Sequence, residues 1–133
     1  MKLYDERLMS IIKVILKYLL AFGFVLAGIN HFINHDFYLK MMPSYLPAHL
    51  FLVYLSGVFE IALGVLLLIP KFTRLAAWSL IALLVAVFPA NVYMAMNTDI
   101  FPEFNPILLY LRLPLQFVLI ACAIWLARRK TLD

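Results

Sequence analysis

The run LSGVFEIALGVLLLIP, residues 55–70, decides the fold. Apart from Ser56 and Glu60 it is apolar, and it neither alternates nor breaks. A half-buried strand would alternate, and a soluble surface helix would show one apolar stripe. A run that is apolar all round belongs to a helix with apolar surroundings on every side. An uncompensated carboxylate in such a helix costs about 2.5–3.5 kcal/mol on membrane-insertion scales. Glu60 therefore requires a partner or a purpose.

The rest of the 133-residue chain is of the same kind. It is 66% hydrophobic, 15% aromatic and only 14% charged, with a mean hydropathy of +1.00. A soluble domain of this size keeps much of its surface in water and could not hide so much apolar area. Four runs, near residues 14–34, 50–70, 75–95 and 107–127, approach the ~20 residues that cross a ~30 Å hydrocarbon core. Only helices and closed barrels satisfy every backbone group in lipid, and these runs are not alternating. The expected fold is all-α: a single domain over residues 1–133 forming a four-helix transmembrane bundle.

The basic residues set the expected topology. Lys2, Arg7, Lys13 and Lys17 precede or open the first span, Lys71 and Arg74 lie between the second and third, and Arg128, Arg129 and Lys130 follow the fourth. With four spans all of these fall on one side, opposite Lys40, Asp36, Asp99 and Glu103. The positive-inside rule then puts both termini in the cytoplasm, with the chain a multi-pass membrane protein. Topology accounts for the formal charge of +4, so no nucleic-acid partner is expected. The first apolar run lacks a small-residue cleavage pattern and reads as a retained anchor.

Two connections on the opposite side are richer than ordinary loops. Residues 33–49 carry Pro43 and Pro47 but also Phe37, Tyr38, Met41, Met42, Tyr45 and Leu46. Such a segment lies along the membrane interface or caps the bundle as a lid. Residues 96–106 resemble it in miniature. Pro89 and Pro114 sit within spans, where each removes a donor and disturbs the carbonyl four residues back, Val85 and Tyr110.

Polar residues gather at one depth. Counting ~1.5 Å per residue from the outer ends of the spans puts Glu60 ~16 Å deep, Arg112 ~9 Å, Gln116 ~15 Å and Asn91 ~8 Å. Asn30 and His31 fall in the same outer third. The inner halves of spans two to four are nearly pure Leu, Ile, Val and Ala. Gly23, Ala27 and His31 share one side of span one; Gly57, Glu60 and Gly64 form one stripe on span two; Arg112 and Gln116 share a side of span four. Small residues on these stripes let helices approach closely. The expected partner of Glu60 is Arg112, with Gln116, Asn91 and His31 meeting the remaining donors and acceptors. The bland alternative is that the network only sets helix register.

Other chemistry is weakly represented. His31 and His35 in HFINH (31–35) have the spacing that can share a metal on a helix, but no carboxylate completes a zinc-protease motif, and no metal site is expected. The lone cysteine, Cys122, forbids an intrachain disulfide or a dithiol motif and reads as a packed apolar residue.

AGINHF (27–32), MMPSYLPAH (41–49), SGVFEIALGVLLLIP (56–70), FPANVYMA (88–95) and LRLPLQ (111–116) together resemble the DoxX-type small membrane proteins, over roughly residues 20–126. That resemblance implies four membrane helices and a place beside redox machinery. The family takes its name from likeness to a subunit of an archaeal thiosulfate:quinone oxidoreductase. It carries over no catalytic residue, and this chain has no haem, flavin or nucleotide motif.

The sequence thus points to a binding subunit for a lipid-like or quinone-like ligand in the outer half of the bundle, accessory to a redox system. The only cofactor this reading admits is a quinone. Arg112 and His31 would contact the ligand head, Glu60 would hold Arg112 and accept a proton, and Asn91 and Gln116 would orient the head. Tyr38, Tyr45, Phe88 and Tyr93 would flank it. Its partners are the bilayer and either a redox protein or further copies of itself. Two other readings are a membrane assembly factor or structural subunit with an internal Glu–Arg network, and a proton-coupled transporter. No self-contained catalytic motif makes it an enzyme on its own.

Overall fold

The computed structural model describes residues 1–128; Arg129 and Lys130 of the basic set lie outside the described residues. The chain forms α1 (Lys2–Ile33), α2 (His35–Met41), α3 (His49–Leu67), α4 (Thr73–Met96) and α5 (Pro106–Arg128), with single 3-10 turns at Pro70–Phe72 and Thr98–Ile100. No strand occurs among the described residues. The fold is all-α, and α1, α3, α4 with its preceding turn, and α5 are each long and apolar enough to cross a membrane.

Boundaries depart from the expected spans in two places. The first helix begins at Lys2 rather than near residue 14, because its charged opening contains neither Gly nor Pro and the hydrogen-bond ladder simply continues. The helix expected to reach residue 70 stops at Leu67. Pro70 disfavours the helical region for the residue before it, and Ile69 is extended. Thr73 closes the turn, donating from Oγ1 to the Leu67 carbonyl at 2.9 Å. Both α4 and α5 run on through Pro89 and Pro114.

The helices associate as two pairs. α1 lies along α3 and α4 along α5; α3 meets α4 less extensively, and α1 and α5 barely touch. The first pair is held backbone to backbone. A Cβ on Gly28 would lie 2.6 Å from the Gly57 carbonyl oxygen, and one on Gly57 would lie 2.9 Å from the Gly28 carbonyl oxygen. One on Gly64 would meet the Ala21 oxygen at 2.9 Å. Small residues make this approach possible where lipid supplies no hydrophobic drive between helices.

Two apolar clusters close the ends of the bundle. One joins Leu20, Phe24, Leu67, Leu80 and Leu126 at the end holding the Leu67–Thr73 turn and the C-terminal part of α5. The other joins Met41 of α2 to Met94, Phe101 and Leu109 at the opposite, capped end. Ala48, at the entry to α3, has φ 50°, a left-handed conformation that strains a non-glycine residue by about 1–2 kcal/mol. His49 Nε2 lies 3.1 Å from the Pro43 carbonyl oxygen and ties this turn together.

Candidate functional site

Between the two apolar clusters lies a cavity of about 730 Å³, within the range of about 300–1,000 Å³ that houses one small ligand. All five helices contribute to its wall, which is apolar except for a few convergent polar groups. Those groups are His31, Tyr38, Ser56, Glu60, Asn91, Arg112 and Gln116.

The α1–α3 pair supplies an acid and an imidazole. His31 Nδ1 lies 3.0 Å from Glu60 Oε2 and 2.8 Å from the Ala27 carbonyl oxygen one turn back. A carbonyl only accepts, so Nδ1 carries the proton. One N–H cannot point well at both oxygens, and its geometry favours Ala27. Glu60 Oε2 is therefore buried beside His31 with no well-directed donor among the described residues. Ser56 Oγ, one turn before Glu60 on the same stripe, is also buried without a partner.

The α4–α5 pair supplies a chain of amides ending in a cation. Gln116 Nε2 donates to the Leu84 carbonyl at 2.6 Å, beside the Val85 carbonyl that Pro89 leaves without its usual donor. Asn91 Nδ2 donates to Gln116 Oε1 at 2.5 Å, and Arg112 Nε donates to Asn91 Oδ1 at 3.4 Å. This is the only hydrogen bond of the guanidinium among the described residues, although a guanidinium has five N–H donors. Its Cζ lies 6.0 Å from the Phe37 ring.

This corrects the expected Glu60–Arg112 pair. Arg112 forms no ion pair with Glu60; the acid sits on His31 and the guanidinium on Asn91. The glycine contact at Gly28 and Gly57 brings α1 against α3, so a group on α1 reaches Glu60 first. Opposite charges therefore face one cavity from separate helix pairs.

α2 roofs that cavity. Tyr38 stacks on His31 with ring centroids 3.9 Å apart, and its hydroxyl accepts from Asn30 Nδ2 at 2.8 Å. Asn34 donates in turn to Asn30 Oδ1. Burial pushes the Tyr38 phenol up from the ordinary tyrosine range; Asn30 pulls it down, Glu60 pushes it up and Arg112 pulls it down. Phe37 sits edge-on to Phe101 and Phe104 of the α4–α5 connection, at 5.5 and 5.4 Å. The segment is thus a packed cap.

Of the residues expected around a ligand, Asn30 stands behind Tyr38, outside the wall. Tyr45, Phe88 and Tyr93 are not on the wall either. Tyr45 is 73% exposed, and Phe88 turns to Phe117 at 5.7 Å. His35 diverges from His31 and meets Tyr54 edge-on at 6.2 Å. Ser56 is not among the residues the sequence places at the site, although its spacing of four from Glu60 was a usable signal. Gly23 was grouped with residues of close approach, yet a Cβ there would meet nothing within 4 Å. It borders the cavity instead.

Residues 20–127 match the model of a family described as a domain of unknown function (DUF8561). No curated protein and no solved structure matches the chain.

Proposed function

The chain belongs to the DUF8561 family, and since that description names no activity, we propose a function from the site: the protein binds a lipid-like or quinone-like amphiphile in the cavity between its helix pairs. One observation carries this reading. Glu60 Oε2 beside His31, Ser56 Oγ and most of the Arg112 guanidinium border an apolar cavity of about 730 Å³ without a protein hydrogen bond among the described residues. A polar head that accepts from Arg112 and donates to Glu60 would satisfy both helix pairs at once, with an apolar tail among Leu, Val and Ala.

The setting is part of the proposal. In a bacterial cytoplasmic membrane the basic residues favour both termini inside, which puts the site in the outer half of the bilayer. Kinship with DoxX-type proteins would make the protein an accessory subunit of a redox system, with electron transfer left to a partner. Extraction of the purified protein should yield a stoichiometric lipid or quinone, and Arg112→Ala should weaken its retention about 10–100-fold, as for a hydrogen bond to a charged group. Extracts without lipid, together with no binding of a short-chain quinone or monoacylglycerol in titrations, would refute the proposal.

A second reading is a structural subunit in which the polar residues only hold helices together. The chain from Arg112 through Asn91 and Gln116 to the Leu84 carbonyl favours it. Under that reading Gln116→Leu and Arg112→Ala both lower thermal stability and no ligand is retained by the unaltered protein. Under the first, Arg112→Ala lowers retention with the melting temperature little changed.

A further inference from the structure

We infer that the cavity is loaded sideways from the membrane, through the gap between α1 and α5, by a single-chain amphiphile with an uncharged head that offers both a carbonyl and a hydroxyl. This rests on the ligand-binding reading and narrows it to a ligand class and a route.

The route follows from the packing. α1 and α5 come together where Lys13 Nζ lies 5.7 Å over the Trp125 ring. Toward the capped end the cavity stands between them. Leu19 and Gly23 line it from α1, and Leu115 and Leu119 from α5. Leu19 is nevertheless 66% exposed and Leu115 54% exposed. Residues that line a cavity and also face the surroundings mark an opening, and this one is wholly apolar and lies within two membrane-crossing helices. Gly23 forms its sill, with open space where a side chain would stand. On α3, Leu55 and Phe59 also line the cavity and are 37% and 47% exposed, less than Leu19 and Leu115, and α3 is joined to α4 by the tight Leu67–Thr73 turn and packs on it more closely than α1 does on α5. The capped end is stopped by α2 and the Phe37–Phe101–Phe104 cluster.

The head class follows from charge. One acid and one guanidinium face the cavity, so a neutral head preserves their balance, whereas a carboxylate or a phosphate would meet Arg112 and be repelled by Glu60. The unmatched groups need an acceptor for Arg112 and a hydroxyl for Glu60 Oε2 or Ser56 Oγ. A volume suited to one small ligand leaves room for one tail.

The test uses the full-length protein in phosphatidylcholine vesicles and monoolein carrying a photoreactive diazirine at the end of its chain. Irradiation should label α1 and α5 around Leu19, Leu115 and Leu119. Gly23→Trp should slow labelling about tenfold, as expected for a blocked entry, and Val85→Trp, exposed on α4 and off the cavity wall, should leave it unchanged. Labels on α3 and α4 instead would overturn the route. If Gly23→Trp does not fold, the label positions in the unaltered protein still decide the route. Labelling lost in Arg112→Gln but unaffected by Gly23→Trp would sink the route and keep the site. Oleate outcompeting monoolein would overturn the neutral head, and failure of the unaltered protein to bind monoolein would overturn this inference. If that protein still retains a co-purified lipid or quinone, the broader binding reading survives.

Discussion

A single side chain, Tyr38, ties the cap to the cavity. It stacks on His31, accepts from Asn30 and feels the fields of both Glu60 and Arg112. Because burial raises its folded-state pKa, the fold favours the neutral phenol. That contribution is fully present below the ordinary tyrosine range and is lost as pH rises through the elevated folded value. Ultraviolet titration of the protein in detergent micelles should therefore show one tyrosine ionising later than the exposed ones, and Tyr38→Phe should remove that component. Should Tyr38→Phe leave the late component in place, the cap does not bury this phenol. Asn91 and Gln116 act at the same scale, each using its amide both to donate and to accept, so that the buried groups of α4 and α5 satisfy one another.

At the scale of elements, the decisive contact is α1 on α3. Four glycines look equivalent in the sequence, but their surroundings differ. At Gly57 a methyl group would press on the Gly28 backbone and the His31 Cβ, both at 2.9 Å, and the backbone cannot yield. Gly57→Ala should lower stability by about 1–3 kcal/mol, as overpacking does, and should also disturb the His31–Glu60 contact. Gly23→Ala meets open space and should be stabilising by about 0.5–1 kcal/mol, because alanine restricts the unfolded chain. Thermal unfolding of the two variants in one detergent checks the contrast. Equal effects would mean that α1 and α3 are not in backbone contact. Prolines matter at this scale too: Pro70 ends a helix, whereas Pro89 leaves one continuous and frees a carbonyl beside the one Gln116 uses.

For the whole molecule, the N-terminal part of α1, the C-terminal part of α5 and the Leu67–Thr73 turn gather at one end, while α2 and the α4–α5 connection cap the other. The basic residues of the first end should face the cytoplasm. In a Cys122→Ala background, an impermeant maleimide should label Asp99→Cys in intact cells and Lys2→Cys only after permeabilisation. The reverse pattern would move the cavity to the inner half of the bilayer and remove the topological part of the proposal.

The sequence by itself determined the number of helices long and apolar enough to cross a membrane, their order and the position of each polar residue along its helix. Run length and a constant rise per residue need no knowledge of neighbours, so Glu60, Asn91, Arg112 and Gln116 could be placed at nearby levels from the chain alone. Only the tertiary structure decided which of them touch. Contact depends on how far apart helix axes lie and how each helix is turned about its axis, and that was set by backbone oxygens meeting Gly28, Gly57 and Gly64. Such an approach drew His31 onto Glu60 and left Arg112 to Asn91. It also left space between the helix pairs where the sequence had suggested a bond.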